Sequence, residues 1–205
     1  MVAAAAAAPG VVVAQADASL AMAVRLSKPE LVKKFLEQGA DPNERVDDPP
    51  NGNVASIAFT TMNGMALYGR LEGPDPVRRG AAVEVVRLLA QHKANFDLPF
   101  RTGPRDATPL MLAAEAGALD VVQILLDAGA NPNVLNGGKY TAIDFAVDRA
   151  PLWSTFPAAD RVEIVRLLLA KGAKTDRAGA DRVPPAERAR RAGNTEIATL
   201  LQRGA

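Results

Sequence analysis

This chain offers few residues with which a side chain could do chemistry. Its 205 residues include one histidine and no cysteine. Zinc clusters of His and Cys are therefore excluded, as are thiol nucleophiles, and a Ser-His-Asp relay would have to use His92. His92 ends an apolar stretch that reads as a helix, where a solvated imidazole near the negative end of the dipole is the simplest reading. Asp144 and Asp148 lie one helical turn apart and can be read as a carboxylate pair. Thr141 stands three positions before Asp144, the capping-box spacing, so helix capping accounts for Asp144 more cheaply. No GxxxxGK[ST] phosphate loop occurs, and Asn136-Gly137-Gly138-Lys139 reads as a turn leading into a helix cap at Thr141. The expectation is no catalytic group, no metal, no cofactor and no enzyme.

The elements that would position these residues repeat. Gly39-Ala40-Asp41-Pro42-Asn43 returns as Gly129-Ala130-Asn131-Pro132-Asn133, with weaker copies at Lys93-Ala94-Asn95-Phe96-Asp97 and Gly172-Ala173-Lys174-Thr175-Asp176. Each phrase follows an apolar stripe of helical period, such as Val121, Val122, Ile124, Leu125 and Leu126. Thr108-Pro109 reads as an N-cap and first helical residue, Gly117 as the stop of that helix, and Gly129 as the stop of the next. A repeat of this kind builds a stack of units around a continuous core.

The segment TPLMLAAEAGALDVVQILLDAGANPN, beginning at Thr108, resembles an ankyrin repeat, because cap, breaker and apolar positions agree over a whole unit. Thr108 and Thr141 lie 33 residues apart, the ankyrin period. The resemblance runs from about Ala18 to Ala205. It implies an all-α repeat fold, an ankyrin-type α-solenoid of five helix-turn-helix units with hairpin-like loops. The units fall at about 18–50, 55–105, 108–140, 141–183 and 184–205, inside a domain of 17–205. The second and fourth exceed the period by roughly 17 and ten residues, at about 64–80 and 150–159. Both insertions fall between the helices of their unit. They carry Met65, Tyr68, Trp153 and Phe156, which either fold back over their own loops or form an apolar binding lip.

The resemblance also implies what the stack does. Ankyrin units present finger loops and first helices on a concave surface and bind other proteins there. The matching fingers are Glu44–Asn53, Phe96–Arg105, Val134–Lys139 and Arg177–Val183. Partner-facing residues on this reading are Arg45, Asp47, Phe100, Arg101, Leu135, Asn136 and Lys139, with Met111, Glu115 and Asp144 on first helices. Tyr68, Trp153 and Phe156 join them if the insertions form a lip. The family's usual first-helix histidine is replaced by Ala21, Ala58, Met111, Asp144 and Glu187, which removes a tie between units. A non-catalytic module for one protein partner is expected. The alternatives are a dedicated immunity or folding-helper protein and, from another class, a receptor or enzyme with a pocket between the insertions.

Net charge is +1, so the basic excess of a nucleic-acid binder is missing. Arg182, Arg188, Arg190, Arg191 and Arg203 read as the solvated outer face of a capping unit. Residues 1–16 form an apolar leader, too short to span a bilayer, so no membrane insertion of the mature domain is expected. It ends in Ala14-Gln15-Ala16, a pattern that resembles a signal-peptidase site but lacks a basic n-region. The leader is thus either a cleaved export signal or an Ala-rich tail, and the compartment periplasmic or secreted in the first case, cytoplasmic in the second. Usage rich in Ala, Arg and Gly suggests a bacterial source, and a monomer is expected.

Overall fold

The computed structural model describes residues 19–48, 53–56, 76–98, 107–147, 158–176 and 179–203. Its elements are α1 (Leu20–Arg25), α2 (Pro29–Glu37), β1 (Arg45–Asp48), β2 (Asn53–Ser56), α3 (Pro76–Gln91), α4 (Pro109–Ala116), α5 (Leu119–Asp127), α6 (Ala142–Val147), α7 (Ala158–Ala170), α8 (Pro185–Arg191) and α9 (Thr195–Arg203). Short helices pair as α1–α2, α4–α5, α6–α7 and α8–α9, and α3 stands where the second helix of another pair belongs. Second helices α2, α3, α5, α7 and α9 pack in one row, and α4, α6 and α8 in a second. This is the two-layered helical stack of a repeat solenoid, with one two-stranded hairpin, β1–β2, in the loop after α2.

The third unit shows how local sequence makes a pair. The Thr108 hydroxyl accepts from the Met111 N–H at 3.3 Å, and Met111 Sδ accepts from the Thr108 N–H. Pro109 occupies the first helical turn, where its missing N–H costs nothing. Gly117 closes α4 at φ +81°, and Gly129 follows α5 at φ +91°, both in the left-handed region. Val121, Val122 and Leu125 are fully buried, as the helical stripe requires. The same register buries Val85 and Leu89 in α3 and Ile164 and Leu168 in α7.

Two boundaries move. Ala55, expected to open the second unit, lies in β2, which pairs antiparallel with β1 and sets Arg45 opposite Ser56. Pro76–Gly80 and residues 158–159, expected within the insertions, are the first turns of α3 and α7. The helical pattern was read from its apolar positions, and these opening turns carry few of them.

Candidate interaction surface

A ladder of side-chain amides and carboxylates holds the bases of the fingers. Asn43 Oδ1 accepts from the Asn95 N–H at 2.6 Å, Asp97 Oδ1 from Asn131 at 2.8 Å, and Asn133 Oδ1 from Lys174 at 2.8 Å. Within each loop the earlier Asx residue accepts from the backbone two positions on, as Asp41 does from Asn43, Asn95 from Asp97 and Asn131 from Asn133. One residue type thus forms the turn, and its neighbour two positions on ties the turn to the next unit. These bonds tie neighbouring units without the family histidine. The recurring Asp/Asn was visible in sequence, but its bond across units was not.

The third finger is rigid at its base and apolar at its tip. Asn136 Oδ1 accepts from the Tyr140 N–H at 2.8 Å, and the Asn136 carbonyl accepts from Lys139 at 2.9 Å. Leu135 is 43% exposed, and Lys139 beside it is exposed in the left-handed region. These two remain on the surface with half-buried Glu115. Three other expected contact residues do not. Met111 is buried in the core, Asn136 is buried by its own turn, and Asp144 is 4% exposed. Asp144 Oδ2 instead accepts from the Thr141 N–H at 2.8 Å, the capping role its spacing suggested. The side chains of Arg45 and Asp47 and the residues Phe100, Arg101, Tyr68, Trp153 and Phe156, like Ala58, lie outside what the structure describes.

Polar side chains missed as structural in the sequence join the last units. Arg161 is 5% exposed and donates to the Ala146 carbonyl at 3.1 Å and to the Glu115 carbonyl, serving the C-terminal ends of α6 and α4 together. Arg188, expected on a solvated face, is largely buried. It forks onto both oxygens of Asp181 at 2.9 and 2.8 Å, stands 3.7 Å from Asp144 and lies 5.0 Å over the Tyr140 ring. Gly179 presses against that ring so closely that no Cβ would fit. Burial pushes the Asp181 carboxyl up, but the Val183 N–H and the Arg188 guanidinium more than offset this and hold it below its ordinary value. Arg190 and Arg191 do lie outside, paired with Glu187.

An open groove crosses the second-helix row, lined by Arg79, Leu119, Asp120, Gln123, Asp160, Glu163 and Leu167. Arg79 grips both oxygens of Asp120 at 2.7 and 2.8 Å, so the groove's cation is already engaged. Among the described residues, no group of three or more His, Asp or Glu is arranged to hold a metal, and no helix is long and apolar enough to cross a membrane. His92 is exposed just beyond α3.

Similarity to known proteins agrees with this architecture. A family model described as ankyrin repeats (many copies) matches residues 89–146. Ankyrin repeat protein nuc-2 of Neurospora crassa is 31% identical over 129 residues, 57% of this chain and 12% of that protein. Regulatory protein NPR5 of Arabidopsis thaliana is 43% identical over 61 residues, 30% of this chain and 12% of that protein. Ankyrin repeat and KH domain-containing protein 1 of Homo sapiens is 41% identical over 68 residues, 32% of this chain and 3% of that protein. The chain therefore spans about an eighth or less of these relatives, which are fungal, plant and human and lend no support to a bacterial source. Residues 89–146 are thus ankyrin repeats, and likeness to ankyrin repeat proteins extends over 57% of the chain. Ankyrin repeats are in general modules of protein–protein interaction.

Proposed function

We propose that this stack, divided into five units, is a non-catalytic module that binds one protein partner through its fingers. The observation that carries the reading is Leu135: a large apolar side chain left 43% exposed on a loop whose base is fixed by Asn136. An ordered loop pays little conformational entropy on binding, so an apolar tip on it is a suitable anchor. Glu115 and Lys139 would frame the contact with charge. The insertions support a second contact at the other edge of the stack. Residues 57–75 and 148–157 rejoin the described chain at α3 and α7, on either side of α5, so Tyr68, Trp153 and Phe156 belong to segments that can reach one another over the third unit.

Leu135→Asp tests the finger reading, because an exposed position tolerates a charge without unfolding. Affinity capture with wild-type and variant chains should lose one specific protein from the variant while the far-UV dichroism is unchanged. Identical captured proteins from both would remove Leu135 as an anchor. Trp153→Ala separates the roles of the insertions: weaker capture with an unchanged thermal midpoint supports binding, and a lowered midpoint with unchanged capture means internal packing.

A further inference from the structure

The first unit presents an interior face to the outside. Aligning Gly39-Ala40 with Gly129-Ala130 sets Leu26, Leu31 and Phe35 at the positions of Ala116, Val121 and Leu125. Those three are buried in the third unit, at 9%, 0% and 0% exposure, where helices of both neighbouring units pack against α5. In the first unit Leu26 is 51% exposed, Leu31 is 46% exposed and Phe35 is half-buried. The opposite side of the same helix, Val32 and Leu36, is buried against the next unit. A terminal unit normally turns a polar face outward, which the last unit does and the first does not.

We propose that this face is covered by the chain's own first 18 residues, docked as an apolar strap. Three features of the chain select this occupant. The segment runs directly into Ser19, the N-cap of α1, so it is tethered to the end it would cover and competes at high effective concentration. Val2 to Ala16 contains no charged side chain, and Val2, Val11, Val12 and Val13 supply aliphatic surface, so docking this stretch desolvates no charged side chain, and Asp17 stands at its hinge to α1. An extended chain covers about 3.3 Å per residue, so about 60 Å is available. The end of one unit is two helices wide, roughly 20 Å.

The chain lacks cysteine, which allows a direct test on the full protein. Leu26→Cys reports on the face, and Gln202→Cys, at an exposed position of the last unit, supplies the reference. A covering strap should slow alkylation of the first thiol at least tenfold relative to the second, since access limits the reaction. Deleting residues 2–16 should restore the rate. Equal rates in the full chain would overturn the proposal. Protection that survives the deletion, or that grows with protein concentration, would overturn it in favour of another segment or a second copy. An intact mass beginning at Asp17 in protein from its native host would also overturn it, because the strap would then be a removed leader.

Discussion

The two ends of the stack are finished differently. At the C-terminal end, Gln202 and Arg190 occupy the positions that Leu126 and Ala114 fill in the third unit. Both are exposed, while Ile197 and Leu201 on the inner side are buried at 2% and 1%. Polarity changes only on the side on which no described unit packs. At the N-terminal end Leu31 and Phe35 keep the apolar character of interior positions although no described unit packs on them. The last unit is moreover joined to the fourth by a largely buried charge cluster, Arg188 with Asp181 and Asp144, whereas the ion pair between the second and third units, Arg79 with Asp120, is exposed. A repeat carries two faces, and each can be changed alone; here only one has been converted into a surface.

The comparison would be broken most directly by truncating equivalent side chains at the two ends. Ile197→Ala removes a fully packed side chain and should cost about 2–4 kcal/mol by transfer and cavity terms. Leu31→Ala, in a chain beginning at Asp17, should cost about 1 kcal/mol or less, since roughly half of that side chain is already in water. Urea midpoints measure both, and equal losses would mean that the first unit's face is not open. Next in size is the charged junction. Arg188→Met leaves Asp144 buried without its cation and should cost about 2–3 kcal/mol, with part of the loss recovered by adding Asp144→Asn. Additive losses in that cycle would show that the two residues do not act together.

Acid should sharpen the contrast more gently. The lowered Asp181 value means that its ionised form favours the folded state: the contribution is present above the ordinary carboxylate range and disappears as pH falls through the lowered folded value. Hydrogen exchange should therefore find α8 and α9 opening before α1 and α2 as pH drops toward 3. Loss of protection first at the N-terminal end would contradict the assignment. The smallest effect is expected inside the stack. Lys93 adopts φ +61° where the matching loops place Gly39, Gly129 and Gly172 at φ +80 to +91°. Lys93→Gly relieves a left-handed side-chain conformation and should stabilise by up to about 1 kcal/mol, after the entropy of the unfolded glycine is counted. Calorimetry showing a lower midpoint would mean that the lysine side chain holds a contact worth more than the strain.

Local signals made the helix pairs legible. A Thr-Pro cap, a glycine stop and an apolar period of 3.6 act within one unit, so α4 and α5 could be placed almost to the residue. The capping role of Asp144 was legible for the same reason. Met111 and Asn136 were misplaced as surface residues because the repeat pattern names a position without saying which residue packs there. A methionine at the histidine position points inward, and an asparagine in a finger spends its oxygen on its own turn. Arg188 was misread from its neighbours: four of the five arginines could be solvated while the fifth stacked on Tyr140. Arg161 carried no warning beyond its place where the third unit has Ala118.

The sequence by itself therefore determined the repeat, its period, the helix ends and the buried stripes, because each depends on residues within a few turns of one another. It also determined that His or Cys chemistry has almost nothing to work with. Tertiary structure decided which polar groups meet across units. The Asn43, Asp97 and Asn133 ladder, the Arg161 bridge between two helix ends and the Arg188 junction join residues that no short-range pattern links. It also left the apolar side of α2 bearing Leu31 with no described unit packed on it. A terminal unit and an interior unit can have the same sequence, and only the presence or absence of a neighbour tells the faces apart.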